Sequence, residues 1–247
     1  MANWLTGIVQ EKIQWNTRLF SLQISVDFVT FKPGQFARVA LDIDGERVAR
    51  PYSLVNTPDE PYLEIYFNIV PEGPLSPKLA NLKKGDEIFV ADRMNGFLIV
   101  DEVPECKHLW MLATGTGLGP FLAILKSESS WQRFEKMVLG YSVRDASELS
   151  YQPLVQQLQE QHPEQFVFVP FVTREKVVGS INKRIPNALE SGEFESLVGF
   201  TINPDDSHIM MCGNSAMLSS VSEILVKRGL RKHLRREPGH FTTEKYH

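Results

Sequence analysis

Hydrophobic and polar positions follow two rhythms along this chain. In residues 20–26 every second position is apolar, as in a strand with one buried face. Similar β-rich segments run over residues 36–41, 62–70 and 87–90. Turn-forming clusters separate them: Lys32-Pro33-Gly34, Thr57-Pro58-Asp59, Pro71-Glu72-Gly73-Pro74 and Lys84-Gly85-Asp86. Short strands at this spacing predict a barrel or sandwich over residues 1–100. From residue 104 or so the rhythm changes. Continuous apolar runs at 109–113, 137–141, 166–172 and 209–212 suit strands of a parallel sheet covered on both faces. Helix-period segments alternate with them, notably 154–161 and 216–227. In the latter, Met217, Leu218, Val221, Ile224 and Leu225 share one face, Asn214 or Ser215 is placed to cap the start, and Gly229 follows the end. The pattern therefore predicts a second, α/β domain over residues 101–247.

Composition narrows the function classes. Apolar residues are 43% of the 247 positions, enough for a substantial core, so long-range disorder is not expected. The net charge of −4 argues against a general nucleic-acid binder. Cys106 and Cys212 are too few for a disulfide framework or a four-cysteine zinc site, and no metal centre is expected. No apolar run approaches the roughly 18 residues of a membrane span. The first residues lack the pattern of a secretory signal, so a cytoplasmic protein is expected.

Five groups of residues point to chemistry. Ala113-Thr114-Gly115-Thr116-Gly117-Leu118-Gly119-Pro120 lies between an apolar run and a helical segment over 121–126. Glycines there allow a tight turn and close backbone approach, and a helix start suits a phosphate-bearing ligand. The spacing is not that of the dinucleotide fingerprint, and a plain strand-to-helix turn is the alternative. Arg50-Pro51-Tyr52-Ser53 offers a guanidinium fork, a flat ring and a hydroxyl; the alternative is a polar edge strand with a buried tyrosine. Gly73-Pro74-Leu75-Ser76 precedes a helix predicted over 77–82 and is either a phosphate site or an ordinary capped turn. Arg144 and Arg174 follow apolar runs, at the carboxyl ends of neighbouring strands where open α/β sheets bind ligands. With Arg184 they suit an extra phosphate such as the 2′-phosphate of NADP, or they are scattered surface charges. Met211-Cys212-Gly213-Asn214 ends the last apolar run, with Cys212 either touching a ligand ring or filling space.

Taken together and in this order, these motifs resemble the ferredoxin–NADP⁺ reductase family, in particular its short bacterial ferredoxin/flavodoxin-linked members. The likeness spans nearly the whole chain, including the tail Tyr246-His247. It implies an N-terminal antiparallel β-barrel for FAD and a C-terminal Rossmann-like parallel sheet for NADP(H), with the tail returning to the flavin. It implies that Arg50 and Pro51 meet the FAD pyrophosphate, Tyr52 stacks on the isoalloxazine and Ser53 lies near its N5. Tyr66, Phe67 and Asn68 would line the flavin edge, and Gly73, Leu75 and Ser76 would cradle the pyrophosphate. Thr116 and Cys212 would border the nicotinamide pocket, Gly117 and Asn214 would also meet a cofactor, and Arg144, Arg174 and Arg184 would hold the adenosine end, including the 2′-phosphate. Tyr246 would cover the ring face opposite Tyr52, and His247 falls where some relatives stack a tryptophan on the adenine. Ser53, Tyr52, Cys212 and Tyr246 are thus the implied catalytic set.

The implied activity is hydride transfer from NADPH to flavin N5, then single-electron transfer to ferredoxin or flavodoxin. Residues 226–247 carry seven basic side chains (Lys227, Arg228, Arg231, Lys232, Arg235, Arg236 and Lys245) against Glu237 and Glu244. The stretch 227–236 is therefore a candidate dock for an acidic carrier, or a solvated helix end. A monomer is expected, with no membrane or nucleic-acid partner. The alternatives are an NAD(P)H:flavin reductase, an oxygenase-type reductase component, and a non-catalytic flavin- or nucleotide-binding regulatory module.

Overall fold

A computed structural model of the chain describes residues 3–27 and 30–246. Its contacts separate two compact units. The first holds residues up to Ile99 with Gly119–Lys126, and the second holds Val100–Leu118 with Ser127–Tyr246.

The first unit is an antiparallel sheet of β1 (Trp4–Gln14), β2 (Leu19–Ser25), β3 (Phe36–Ile43), β4 (Glu46–Ser53), β5 (Leu63–Asn68) and β6 (Glu87–Ala91), in the order β4-β3-β6-β1-β2-β5. Just past β4 the two edges meet. Leu54 bridges Ile65, and the Val55 amide donates to the Glu64 carbonyl at 2.9 Å, closing the sheet into a barrel. Leu22, Ile24, Val39, Leu54, Ile65, Ile88 and Val90 fill its interior with no exposure. Helix α1 (Ser76–Asn81) adds Leu79 and Ala80 to that core. Helix α2 (Gly119–Lys126) is buried all round except Lys126, as expected of a helix apolar on every side. It is fastened to the barrel by an ion pair from Lys126 Nζ to Glu60 Oε1 at 2.6 Å. Burial works to raise the Glu60 carboxyl, but Lys126, the Thr57 amide and the Tyr62 hydroxyl outweigh it and hold Glu60 below the ordinary carboxylate range.

Alternation alone does not reveal β1 and β4. In β1 the register against β2 shifts between Val9 and Glu11, so the bulge breaks the alternation. Strand β4 is largely exposed, pairs within the sheet only with β3, and carries Pro51 without a ladder donor, which suits an edge.

The second unit is a parallel sheet of β7 (His108–Thr114), β8 (Lys136–Val143), β9 (Phe166–Val172), β10 (Ser207–Gly213) and β11 (Phe241–Lys245), in the order β11-β10-β7-β8-β9. Strands β7, β8 and β10 are buried almost throughout, the reason their sequences read as unbroken apolar runs. Its helices are α3 (Glu128–Arg133), α4 (Gln152–Gln161), α5 (Ile185–Glu190), α6 (Glu193–Val198) and α7 (Ser215–Lys227). Asn214 caps α7, its Oδ1 accepting from the Met217 amide at 2.9 Å. The last strand is not foreshadowed by periodicity. It forms because Phe241 is buried and the chain returns alongside β10, from Ile209–Phe241 to Gly213–Lys245. The tail up to Lys245 is therefore a strand and not a frayed end. Among the described residues no helix is long and apolar enough to cross a membrane.

His208, 1% exposed at the start of β10, shares a 3.0 Å hydrogen bond with Thr242 Oγ1 of β11. Burial pushes its imidazole down to about 3. An unfolded histidine titrates near 6.5. His208 therefore contributes stability that is present above pH about 6.5 and lost progressively towards pH 3. Replacing it (His208→Gln) is expected to flatten the fall of unfolding free energy between pH 7 and 5 relative to the parent, measured by urea denaturation. Parallel profiles for the two proteins would contradict this.

Candidate functional site

The strand order of the second unit reverses between β7 and β10: β8 and β9 lie to one side of β7, and β10 and β11 to the other. In open α/β sheets the carboxyl ends of strands at such a switch point bind ligands. Here β7 ends at Thr114 and β10 at Gly213. Thr114 Oγ1 accepts hydrogen bonds from the Asn214 amide at 2.9 Å and from Asn214 Nδ2 at 3.1 Å. Two glycines make this approach possible. A Cβ at Gly213 would fall on Thr114 Oγ1, and one at Gly117 would fall on the Cys212 carbonyl oxygen. The alternative explanation of these glycines, steric need without a ligand, accounts for Gly117 and Gly213. Gly115 is needed for its own reason, a φ of +53° that favours glycine, and with Thr116 it is the part of the loop left partly open. Asn214 is committed to structure by both ends of its amide. Pro120 is the second residue of α2 and is buried, as are Gly117 to Gly119, so the open surface of this motif is narrower than the sequence implies.

Cys212 is 1% exposed, and burial, followed by the Glu244 charge, pushes its thiol well above the ordinary range. It is a neutral thiol at the end of β10 and not a thiolate nucleophile. Glu244 stands opposite it in register on β11. Burial pushes the Glu244 carboxyl up to about 7, so it exchanges its proton near neutrality. Sequence reasoning missed this residue, because its burial arises from pairing with a strand some thirty residues earlier. Tyr246 follows β11, its hydroxyl 3.5 Å from where a Cβ on Gly115 would stand. Burial raises its phenol above the ordinary value. His247 lies outside the described residues.

Arg144 follows β8 and Arg174 comes two residues after the end of β9, while Arg184 is the residue before α5. All three are exposed and make no ion pair with a described residue. The carboxyl edge of the sheet therefore presents, in strand order, Tyr246, Cys212, Thr114, Arg144 and Arg174. At about 4.8 Å between neighbouring strands, the step from β7 to β9 is on the order of 10 Å.

In the first unit Arg50 and Tyr52 lie on one face of edge strand β4, two residues apart. Arg50 is exposed, and its guanidinium donates to the Ala49 carbonyl at 2.7 Å. The Tyr52 ring meets Phe67 of β5 edge-on, with centroids 5.9 Å apart. Burial pushes the Tyr52 hydroxyl up to about 12, against a smaller opposite pull from Arg50, so it remains a neutral phenol. Ser53, half-buried, ends β4 where the barrel closes. Tyr66 and Phe67 are buried, and the Asn68 amide Nδ2 donates weakly to the Ile69 carbonyl at 3.4 Å. The Gly73 turn is tight: its amide donates to Val70 at 2.9 Å, and a Cβ would come within 3.1 Å of Val70. Leu75 is buried and is the residue before α1; Ser76 is the first helical residue and not the cap. Ser76 Oγ accepts from the Val70 amide at 2.9 Å, so that hydroxyl braces the turn.

The basic tail is less free than its sequence suggests. Arg228 reaches both oxygens of Glu195 at 2.9 Å and the Leu189 carbonyl at 2.7 Å. Arg235 pairs with Glu102 at 2.9 Å, and Arg231 lies 3.8 Å from Glu237.

Residues 6–92 match the family described as oxidoreductase FAD-binding domain, and residues 111–223 match oxidoreductase NAD-binding domain. The flavodoxin/ferredoxin–NADP reductases of Shigella flexneri and Escherichia coli K12 are each 47% identical over all of this chain and all of their own. A ferredoxin NADP⁺ reductase structure from Neisseria gonorrhoeae, with bound FAD and NADP, is 30% identical and covers 99% of both chains with a TM-score of 0.94. The chain belongs to the flavodoxin/ferredoxin–NADP reductase family. As in that family, an FAD-binding antiparallel barrel precedes an α/β NADP-binding unit.

The residues of this reductase-family chain fit FAD. A diphosphate needs guanidinium donors within reach of solvent, and a flat ring needs an aromatic face; exposed Arg50, with one bond to the adjacent Ala49 carbonyl, and Tyr52 supply both on one open strand edge. The close approach at Gly117 meets backbone and not a flexible side chain. Gly117→Ala is therefore expected to cost about 1–3 kcal/mol of stability, read from denaturant midpoints. An unchanged midpoint would show that the two strand ends do not depend on this contact.

Proposed function

We propose that this protein passes electrons from NADPH to ferredoxin or flavodoxin by way of bound FAD. The observation that carries the reading is the carboxyl edge of the parallel sheet, where the switch point adjoins exposed arginines on successive strands. FAD, when bound, accepts a hydride as an electron pair and releases electrons one at a time. Arg50 and Pro51 hold its pyrophosphate, and the amides and turn around Gly73, Leu75 and Ser76 support it. Tyr52 packs on the ring, Ser53 offers its hydroxyl to the ring edge, and Tyr66, Phe67 and Asn68 border it. Thr116 and Gly117 shape the nicotinamide position, where the neutral Cys212 thiol supplies a compact apolar wall. Tyr246, over the Gly115 turn, stands at that position and yields when the nicotinamide enters. Arg144, Arg174 and Arg184 grip the adenosine end and its 2′-phosphate. His247 is proposed for the adenine. On this reading the FAD domain is residues 1–100 and the NADP(H) domain 101–247, and the protein works as a cytoplasmic monomer.

The carrier meets the exposed cations of the tail, chiefly Lys227, Lys232 and Arg236, because Arg228 and Arg235 are engaged in ion pairs. Opposite charge speeds such an encounter. With FAD-loaded protein, NADPH is expected to drive reduction of ferredoxin or flavodoxin at a kcat/KM about tenfold or more above that with NADH, since charge-assisted contacts to one phosphate are worth at least that much. The rate should fall as added salt shortens the screening length. Cofactor binding without turnover would favour a regulatory module, and turnover only with added free flavin would favour a flavin reductase.

Glu244 gives the nicotinamide site a pH dependence. Below pH about 7 its carboxyl is protonated and neutral, and above that it is an anion. An oxidised nicotinamide carries a positive charge and the reduced ring does not. The preference for NADP⁺ over NADPH is therefore expected to rise about threefold or more between pH 6 and 8. The phosphates are common to both ligands and cancel in the ratio. Binding titrations of Glu244→Gln should show a flat ratio; a rise equal to that of the parent would remove Glu244 from this role.

A further inference from the structure

The three arginines are carried by two loops, and an acidic side chain adds to the backbone bonds that join them. Arg144 opens the loop after β8, while Arg174 and Arg184 bracket the loop between β9 and α5. The loops stay paired beyond their strands. The Thr173 amide and hydroxyl both donate to the Val143 carbonyl at 3.1 Å, and the Arg174 amide donates to the Arg144 carbonyl at 2.9 Å. Past that point the connection is Glu175. Its Oε1 accepts from the amide of Ala146, two residues from Arg144. Its own carbonyl accepts from Asn182 Nδ2 at 2.8 Å, and the same Nδ2 donates to the Val172 carbonyl at 2.7 Å. Asn182 thereby closes the neck of the loop two residues before Arg184, where Ile181 also bridges Phe171 along the outer edge of β9. From the other side, Glu148 Oε2 accepts from the Arg144 amide at 3.0 Å.

An exposed carboxylate among arginines that bind a phosphate works against that phosphate by charge. Its use here lies in geometry. Exposed loops lose affinity when they must be ordered by the ligand, and a fork aimed at an anion gains when its backbone is fixed beforehand. We infer that Glu175 is a positioning residue for selection of the 2′-phosphate, locking the Arg144 loop to the loop that carries Arg174 and Arg184. The inference rests on the reading of those three arginines as the 2′-phosphate site. Glu175 itself does not touch the nucleotide.

The charge and the hydrogen bond make opposite predictions, so they separate cleanly. Adenosine 2′,5′-bisphosphate and 5′-AMP are titrated calorimetrically into FAD-loaded protein, without turnover. Glu175→Ala removes the acceptor and the charge together. It is expected to weaken the bisphosphate about fivefold, the loss of roughly one oriented contact, and to leave 5′-AMP unchanged. Glu175→Gln keeps an acceptor for the Ala146 amide and removes the charge, so the bisphosphate should bind at least as tightly as to the parent. Tighter or unchanged bisphosphate binding by Glu175→Ala would overturn the inference, as would an equal loss of both ligands. Arg174→Ala separates the two levels. If it weakens the bisphosphate while Glu175→Ala does not, the positioning role alone fails. If it has no effect, the 2′-phosphate site falls and the positioning role falls with it.

Discussion

The site in the second unit depends on how closely two parallel strand ends approach each other. Strands β7 and β10 meet at the reversal of strand order, and the Thr114 hydroxyl is inserted between their ends to hold Asn214. No side chain larger than hydrogen fits at Gly117 or Gly213 without displacing backbone or that hydroxyl. This contact fixes the end of β10, and with it the neutral Cys212. It also fixes the cap of α7, because the same Asn214 serves both strand and helix. Strand β11 then lays Glu244 beside Cys212 and leads into Tyr246, whose hydroxyl stands over the Gly115 turn. Residues far apart in sequence thus converge through one steric demand at a strand crossing.

Chemistry is divided between the units. The barrel offers an open strand edge with Arg50 and Tyr52, a guanidinium beside a flat ring. The parallel sheet offers a row of strand ends that runs from a neutral, water-poor position at Cys212 to exposed guanidinium groups at Arg144 and Arg174. That gradient matches a ligand with an aromatic end and a phosphorylated end. The neutral Cys212 thiol and the Tyr246 phenol at the aromatic end fit hydride chemistry, which needs orientation and exclusion of water more than a charged acid or base.

Much of this was legible in the sequence, and the residues that were not share a cause. The interior strands β7, β8 and β10 announced themselves because both faces are covered, and Arg144 and Arg174 were visible because they come one and two residues after the apolar runs of β8 and β9. Strand β1 was masked by its bulge, β4 by exposure and Pro51, and β11 by polar composition. Glu244 could not be read as special, since nothing local distinguishes a buried glutamate from a solvated one. The same holds for Arg228 and Glu195, whose pairing removes a cation that sequence counts as surface charge. Glu175 is a further case, since its carboxylate takes the amide of Ala146, 29 residues earlier in the chain. Local periodicity reports burial; it does not report which remote partner a polar group finds.

As a flavodoxin/ferredoxin–NADP reductase, the protein should reduce its bound flavin with NADPH in preference to NADH. Anaerobic mixing of FAD-loaded protein with NADPH or NADH, followed by the visible absorbance of the bound flavin, tests it most directly. The account predicts that the yellow colour bleaches at lower concentrations of NADPH than of NADH, and returns when an oxidised one-electron carrier is added. Protein that takes up no flavin, or whose bound flavin keeps its colour in excess NADPH, would contradict it.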